Sequence, residues 1–491
     1  MNLPILSVLI FLPAIAAVVV PFLRSNASVR WFTLIALLID FLIAVWLLIA
    51  FDTSTPDMQF RENLAWVPPL GIGYRLGIDG VSVWFIFLTA LLGWICVLAS
   101  WNSIKHRVKE FMASLLAIQS MMIGVFCALD VFLFYVLWEA MLIPMYLIIG
   151  IWGGENRIYA AFKFFLFTLA GSLLFLIGIL VLYFEGGRTF DMLALMAREY
   201  SFKVQAWVFI SFLIAFAVKI PMVPFHTWLP DAHVQAPTAG SIILAGVLLK
   251  MGAYGFIRFS LPMLPDASHY FAPMMIALSA LAIVYGGLLA LAQTDIKKLV
   301  AYSSVSHMGF ITLGLFTLNV NGMSGAVIQM FNHGITTGAL FLFVGLIYER
   351  THSREIPRYG GMIKAVPLFG ILFAAFLLSS MAVPGTNGFV GEILVLSGTF
   401  AVNGWAASAG VVGALIGAAY LLGIYRQVLL GPVKVPDDNK IWDLDNREIL
   451  CAVPLLIFVF WMGFYPKTFL SILQPTLENL LLQLATTGAG G

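Results

Sequence analysis

The sequence predicts an all-α polytopic membrane protein of about fourteen transmembrane helices. Three observations carry that prediction. Of 491 residues, 61% are hydrophobic and 10% charged, whereas soluble domains carry about 25% charged residues. Apolar windows of about 20 residues, the length that crosses a hydrocarbon core of roughly 30 Å, recur along the chain. The connections between them are mostly too short to hold an inserted soluble domain, so residues 1–491 read as a single membrane domain. The net charge of +2, with no long Lys/Arg tract, excludes a nucleic-acid arm, and the expected surrounding is the lipid bilayer.

Taken in order, the windows fall near 3–22, 31–50, 83–101, 112–129, 131–152, 160–184, 206–229, 240–259, 271–291, 298–317, 324–347, 366–400, 408–430 and 448–466. The start "MNLPILSVLIFLPAIAAVVVPFL" lacks a basic leader and continues past signal-peptide length, so it reads as a retained first span. Longer connections lie at 51–82, 185–205, 348–365 and 431–447, and 467–486 has the pattern of a short amphipathic or surface helix. Cys96, Cys127 and Cys451 sit singly in apolar runs, without the paired spacing of metal sites or iron–sulfur ligands. Metal and cofactor binding are not expected in this chain.

Lys and Arg near the window ends are unevenly shared. Sixteen lie on odd-numbered connections and six, Arg258 among them, on even-numbered ones. The positive-inside bias then puts the odd connections in the cytoplasm and both termini on the periplasmic side of a bacterial inner membrane.

Four charges are singled out as intramembrane: Glu139 in "VLWEAMLIPMYL", Lys219 near the middle of the seventh window, Lys250 near the middle of the eighth in "AGVLLKMGAYG" and Glu392 in "PGTNGFVGEILVL". A charge at bilayer depth costs roughly 2.5–3.5 kcal/mol by insertion scales, so each is expected to face the bundle interior. Static pairing, with Glu139 holding Lys219, is one reading. A proton path is the other, and it gains weight because well-packed apolar residues stabilise a scaffold better than buried ion pairs do. His307, with Ser303 on its helix face, and His333, flanked by Gln329, Thr336 and Thr337, form polar stripes between Lys250 and Glu392 in chain order. His226 and His233, in "PFHTWLPDAHV", are candidates of lesser weight, each divided evenly between a structural and a functional role.

Two windows are interrupted: the seventh by "KIPMVPFHTWLP" and the twelfth by "AVPGTNGFVGE". Backbone freed by such breaks is tolerated only where protein or a water-filled cavity covers it. The seventh is fourth among helices 4–8 and the twelfth is fourth among helices 9–13. An odd offset makes the two blocks enter the membrane from opposite sides, as in transporters built from inverted repeats. The chain therefore divides into N-terminal helices 1–3 (1–110), a first five-helix repeat (111–260), an inverted second repeat (270–430), and helix 14 with a tail (431–491).

"LGIDGVSVWF" (77–86), "YVLWEAMLIPMYLIIGIWGG" (135–154), "KIPMVPFHTWLPDAHVQAPTAGSIILAGVLLKMGAYG" (219–255), "AYSSVSHMGF" (301–310), "QMFNHG" (329–334) and "PGTNGFVGE" (384–392) closely resemble the antiporter-like subunit M family of bacterial NADH:quinone oxidoreductase, respiratory complex I. The resemblance spans nearly the whole chain. It implies fourteen helices with two inverted five-helix repeats, in one of several proton channels of a membrane arm. It also implies that Glu139 and Lys219 are a gating pair, Lys250 the central relay, Glu392 the terminal relay toward the outer side, and His307 and His333 the connection between the last two. At 392 the related subunits L and N, the expected neighbours, carry lysine. NADH, FMN, iron–sulfur clusters and quinone would belong to partner subunits.

Motifs such as "HTWLPDAH" are shared with Mrp-type cation/proton antiporters and membrane-bound hydrogenases, which form the alternative assignment. A sodium or potassium antiporter would need a carboxylate-rich site, and the windows offer two mid-membrane carboxylates. A passive scaffold and a solute transporter are the remaining readings.

Overall fold

Short polar side chains start the helices where the chain re-enters the apolar layer. Asp79 accepts hydrogen bonds from the Val81 and Ser82 amides, both at 3.0 Å, and Asp295 from those of Lys297 and Lys298 at 2.7 and 3.1 Å. Reciprocal capping boxes close the starts at Ser25/Ser28 and Asp445/Glu448. The computed structural model describes residues 4–434 and 441–487.

The elements run α1 (Ile5–Val19), α2 (Asn26–Ala50), β1 (Gln59–Val67), β2 (Ile72–Ile78), α3 (Gly80–Ala99), α4 (Val108–Cys127), α5 (Val131–Ala140), α6 (Leu142–Trp152), α7 (Arg157–Glu185), α8 (Met192–Met196), α9 (Phe202–Lys219), α10 (Trp228–Gln235), α11 (Thr238–Ile243), α12 (Leu249–Gly255) and α13 (Leu261–Met263). They continue with α14 (Pro265–Leu291), α15 (Ile296–Leu315), α16 (Val320–Thr351), α17 (Met362–Ala365), α18 (Pro367–Ser380), α19 (Asn387–Phe400), α20 (Gly404–Ile424), α21 (Asn446–Phe464) and α22 (Lys467–Thr487). Every window predicted from sequence falls on a helix or a broken pair of helices. By length and composition, 12 helices among the described residues can cross a membrane. The other two predicted crossings correspond to α15 and to the broken pair α18/α19.

Three segments form the centre. α3, the stretch Thr238–Met263 and α16 are buried along the whole of their most apolar windows. The middle one is a single helix path in which α11, α12 and α13 are joined by two five-residue π stretches, Leu244–Leu248 and Phe256–Ser260. Such wide turns leave backbone carbonyls free and cluster at functional sites.

The predicted breaks are present. α9 ends at Lys219 and the helix resumes at Trp228, whose indole N–H donates to the Val218 carbonyl at 2.8 Å. α18 ends at Ser380 and α19 begins at Asn387. Gly388 lies so close to α18 that a Cβ there would sit 2.2 Å from the Ser379 carbonyl oxygen. A third break was not expected: the fifth window divides at Met141. Pro144 explains it, because it lacks the N–H that would bond the Ala140 carbonyl and its ring clashes there.

Three further readings need correction. The 51–82 connection is not loop but an antiparallel hairpin, β1–β2, so the fold is all-α apart from this one two-stranded sheet among the described residues. Glu62 on β1 accepts from the Leu6 amide at 2.8 Å and from the Ser7 amide and hydroxyl, tying the hairpin to the start of α1. Tyr74 on β2 shares Ser7 at 2.8 Å, and burial pushes its phenol up to about 12. The predicted surface helix, α22, packs on the bundle instead: Phe469 stacks on Trp84 at 4.5 Å, and Thr476 accepts from the Gly80 amide at 3.2 Å. Its apolar face is covered because α3 and α16 leave a groove for it.

Arg258 is the last correction. Assigned by sequence to a connection, it lies buried within the Phe256–Ser260 stretch. The helix can continue through it because Asp79 takes its guanidinium in a two-nitrogen pair, Ser82 accepts at 2.8 Å and Tyr254 at 2.9 Å. Removing one partner of a buried pair costs about 3–5 kcal/mol because the other charge is stranded. Arg258→Ala is therefore expected to cut the amount of folded protein in membranes sharply, with the paired change Asp79→Leu/Arg258→Leu less damaging than Arg258→Ala alone, as measured by quantified immunoblot and thermal denaturation.

Candidate functional site

Burying an amine among apolar helices requires either a carboxylate or dipoles aimed at it. Lys250, on α12, has the second arrangement. Its ammonium donates to the Ala245 carbonyl, in the π stretch one turn before it, and meets His333 Nδ1 at 2.6 Å. Both residues are buried, on two of the three central helix paths. Among the described residues no carboxylate lies within ion-pair distance of this amine.

His333 leads onward. Its ring centre is 5.8 Å from that of His307 on α15. His307 Nδ1 lies 3.5 Å from Glu392 Oε1 on α19, and its Nε2 is 3.4 Å from the Ser380 hydroxyl at the broken end of α18. A polar cavity with room for about one water lies among His307, His333, Gln329, Asn332, Thr336 and Ser380. Lys250, His333, His307 and Glu392 thus form one row, in which His333 rather than His307, the earlier of the two in the chain, lies next to Lys250.

Amides and hydroxyls frame the row. Gln329 donates to Glu392 Oε1 at 3.4 Å. Asn332 donates to the Asn387 carbonyl at 2.6 Å, and Ser379 bridges Asn387 Oδ1 at 2.6 Å and Thr336 at 2.7 Å. Asn332, Ser379, Ser380 and Asn387 were missed by the sequence reading. Asn387 and Ser379 flank the break that it did identify, which is where their signal lay. Tyr420, from α20, has a buried hydroxyl beside Glu392 and Ser303, and nothing in "GAAYLLG" distinguishes it from an apolar helix position.

Glu139 and Lys219 occupy the other side of Lys250. Glu139 is the next-to-last residue of α5, at the Pro144 break, and Lys219 is the last residue of α9, at the predicted one. They are electrostatic neighbours, but no ion pair within 4.0 Å joins them: Glu139 Oε1 and the Lys219 ammonium are both buried without hydrogen-bond partners. The ammonium instead sits over the Trp138 ring, 4.9 Å from its centre. α9 and α12 touch directly: a Cβ on Gly252 would lie 2.6 Å from Ile220 Cγ1.

His226 and His233 are both buried. His226, inside the α9/α10 break, meets Tyr285 edge-on at 5.5 Å. His233, on α10, lies parallel to Phe341 at 4.5 Å, and neither of its ring nitrogens has a partner among the described residues. Asp40 adds a third mid-membrane carboxylate where two had been counted: it is buried on α2 and accepts from Gln119 at 3.1 Å. It was visible in the second window. Among the described residues no group of three or more His, Cys, Asp or Glu could hold a metal ion.

A family model described as "NADH:quinone oxidoreductase/Mrp antiporter, TM" matches residues 128–417. NADH-quinone oxidoreductase subunit M of Rhodobacter capsulatus is 45% identical, over 97% of this chain and 96% of that protein. NADH-ubiquinone oxidoreductase chain 4 of Arabidopsis thaliana is 46% identical, over 97% of both chains. The chain belongs to the subunit M family of NADH:quinone oxidoreductase. A chain of respiratory complex I from Thermus thermophilus superposes with a TM-score of 0.89 at 31% identity, covering 98% of this chain and 99% of that one.

Within this subunit M fold the row depends on close helix contact. A Cβ on Gly391 would lie 2.2 Å from Gln329 Oε1 and 2.9 Å from Asn332 Nδ2. Gly391→Ala is expected to destabilise by about 1–3 kcal/mol through overpacking, and Gln329→Ala added to it to recover part of the loss, as read from thermal denaturation of the two variants.

Proposed function

We propose that protons move through this chain along Lys219, Lys250, His333, His307 and Glu392, with Glu139 gating the first step. The chain is a proton-translocating, antiporter-like membrane subunit of NADH:quinone oxidoreductase. The observation that carries the residue assignment is the row itself: Lys250 bonded to His333, His333 beside His307, and His307 beside Glu392.

Each group has a simple task. An ammonium keeps its proton while a carboxylate is near and yields it when the carboxylate withdraws. Lys219, close to Glu139 without an ion pair, stands between those conditions, and the breaks at Met141 and after Lys219 let the two move apart. Lys250 takes the proton next, and its contact with an imidazole rather than a carboxylate allows it to pass the proton on. His333 and His307 each accept at one ring nitrogen and release from the other, with hydroxyls and amides around them. Glu392 receives the proton at the far break. Moving one charge against about 150–200 mV takes on the order of 4 kcal/mol, roughly a thousandfold change in proton affinity, within reach of buried amines whose neighbours shift.

The repeats, 111–260 and inverted 270–430, with 1–110 and 431–491 outside them, supply the two breaks in corresponding places. The odd-numbered connections lie on the cytoplasmic side, protons leave toward the periplasm, and the neighbours are the L- and N-type subunits. The chain acts as a translocase subunit without a redox centre of its own, and NADH, FMN, iron–sulfur clusters and quinone are held by its partners. Energy then arrives through conformation or charge.

The test is NADH-driven proton uptake by inverted membrane vesicles carrying Lys219→Ala or Glu139→Gln, with assembly quantified and NADH oxidation by an artificial acceptor as control. The expected result is preserved assembly with pumping and quinone-linked turnover lost. Normal pumping per turnover in both variants would return the pair to a structural role.

A further inference from the structure

The relay as described has no way in from the side of the odd-numbered connections. A broad open cavity lies at that end of the bundle, between the segments 102–105, 152–156, 234–238, 295–298, 344–358 and 442–448. Its wall includes Lys297, the second residue of α15, and Arg354. Lys297 is buried apart from this wall, and its ammonium donates to the carbonyls of Ala236 at 2.6 Å and Val234 at 3.5 Å, at the C-terminal end of α10. That helix end attracts cations, but Lys297 shares it: Arg354 Nη1 donates to the same Val234 carbonyl at 2.9 Å.

The local charges do not balance at Lys297. Asp295 is engaged by Arg354 at 3.5 Å and by the first amides of α15. Among the described residues no carboxylate lies within ion-pair distance of the Lys297 ammonium. A second cation on its carbonyl, burial and the lack of a counter-ion all favour the neutral amine, whereas arginine beside it stays charged.

Behind Lys297 stands His233. It lies within electrostatic range of both Lys297 and Lys250, and both of its ring nitrogens are buried without partners. A buried imidazole otherwise satisfies at least one nitrogen with protein or ordered water. The ring lies parallel to Phe341 with centroids 4.5 Å apart, and the carbonyl of the next residue, Val234, accepts from Lys297.

We propose that Lys297 is the proton-loading residue of this chain, taking protons from the cavity and exchanging them with Lys250 through His233. The inference rests on the relay reading, since it supplies Lys250. No bond other than those to the proton changes: a hydronium or water in the cavity gives a proton to the neutral Lys297 amine. The ammonium passes it to one ring nitrogen of His233, and the other ring nitrogen releases its proton toward Lys250.

The test uses the assembled complex in membrane vesicles with three variants, Lys297→Ala, Lys297→Arg and Lys250→Ala, each measured for assembly, quinone-linked NADH oxidation and proton uptake. Arginine keeps the charge and the carbonyl contacts but does not release a proton. Lys297→Arg is expected to assemble and lose turnover and pumping by roughly tenfold or more. Lys297→Ala is expected to lose them as well and to regain activity with added ethylamine but not with tetramethylammonium, a cation that carries no proton. Wild-type turnover in Lys297→Arg overturns the proposal, as does failure of both Lys297 variants to assemble, or equal rescue by the two cations. If the Lys297 variants are normal and Lys250→Ala is not, the relay stands and its intake lies elsewhere; if all three are normal, the relay reading falls with it.

Discussion

An amine buried at the centre of the bundle with no carboxylate to hold it is the constraint on which the rest of the structure depends. Lys250 sits on one of the three innermost helix paths, and the protein meets its cost with a backbone carbonyl and an imidazole. The carbonyl is within reach because the helix widens into a π stretch just before Lys250, and the imidazole because α16 runs alongside. A carboxylate at this place would hold the proton too well for a relay. Dipoles that tolerate both the ammonium and the amine leave the site free to change.

The helix breaks serve the same constraint. Glu139, Lys219 and Ser380 each lie at or next to the end of a helix whose continuation is interrupted, and Glu392 lies on the helix that resumes after the second predicted break. Freed backbone groups there are covered by side chains such as Trp228 and Asn332 rather than by lipid. By contrast α1, α2, the α5/α6 pair, α7, α14, α20 and α21 bury less than half of their apolar windows, and they carry none of the row from Lys250 to Glu392. The proposed relay thus lies among the most fully buried helices.

Much of this was legible in the sequence because a charge or proline in an apolar run is conspicuous. Lys219, Lys250, Glu139 and Glu392 announced themselves in that way, and helical spacing marked the polar faces around His307 and His333, but that His333 rather than His307 meets Lys250 is set by packing between helices. The polar frame was less legible. Ser379, Asn387 and Tyr420 matter through contacts between helices far apart in sequence, which no local pattern encodes. The π stretch before Lys250, Leu244–Leu248, has no proline within or directly after it, so that wide turn arises from packing rather than from a missing donor. Two misses did have signals: Pro144 stands four residues after Ala140, and Asp40 lies openly in the second window. The hairpin at 59–78 was obscured by its length and mixed polarity, and its stability comes from Glu62 reaching α1.

The central claim is that one proton path runs from Lys250 through two imidazoles to Glu392. Infrared difference spectroscopy of the assembled complex during NADH-driven turnover tests it most directly, by following the carbonyl stretch of a protonated carboxyl group. The account predicts a turnover-dependent band that disappears in Glu392→Gln and is also abolished by His333→Leu, which leaves the carboxyl in place but interrupts the path. A Glu392 band that persists unchanged when His333 is replaced would contradict it.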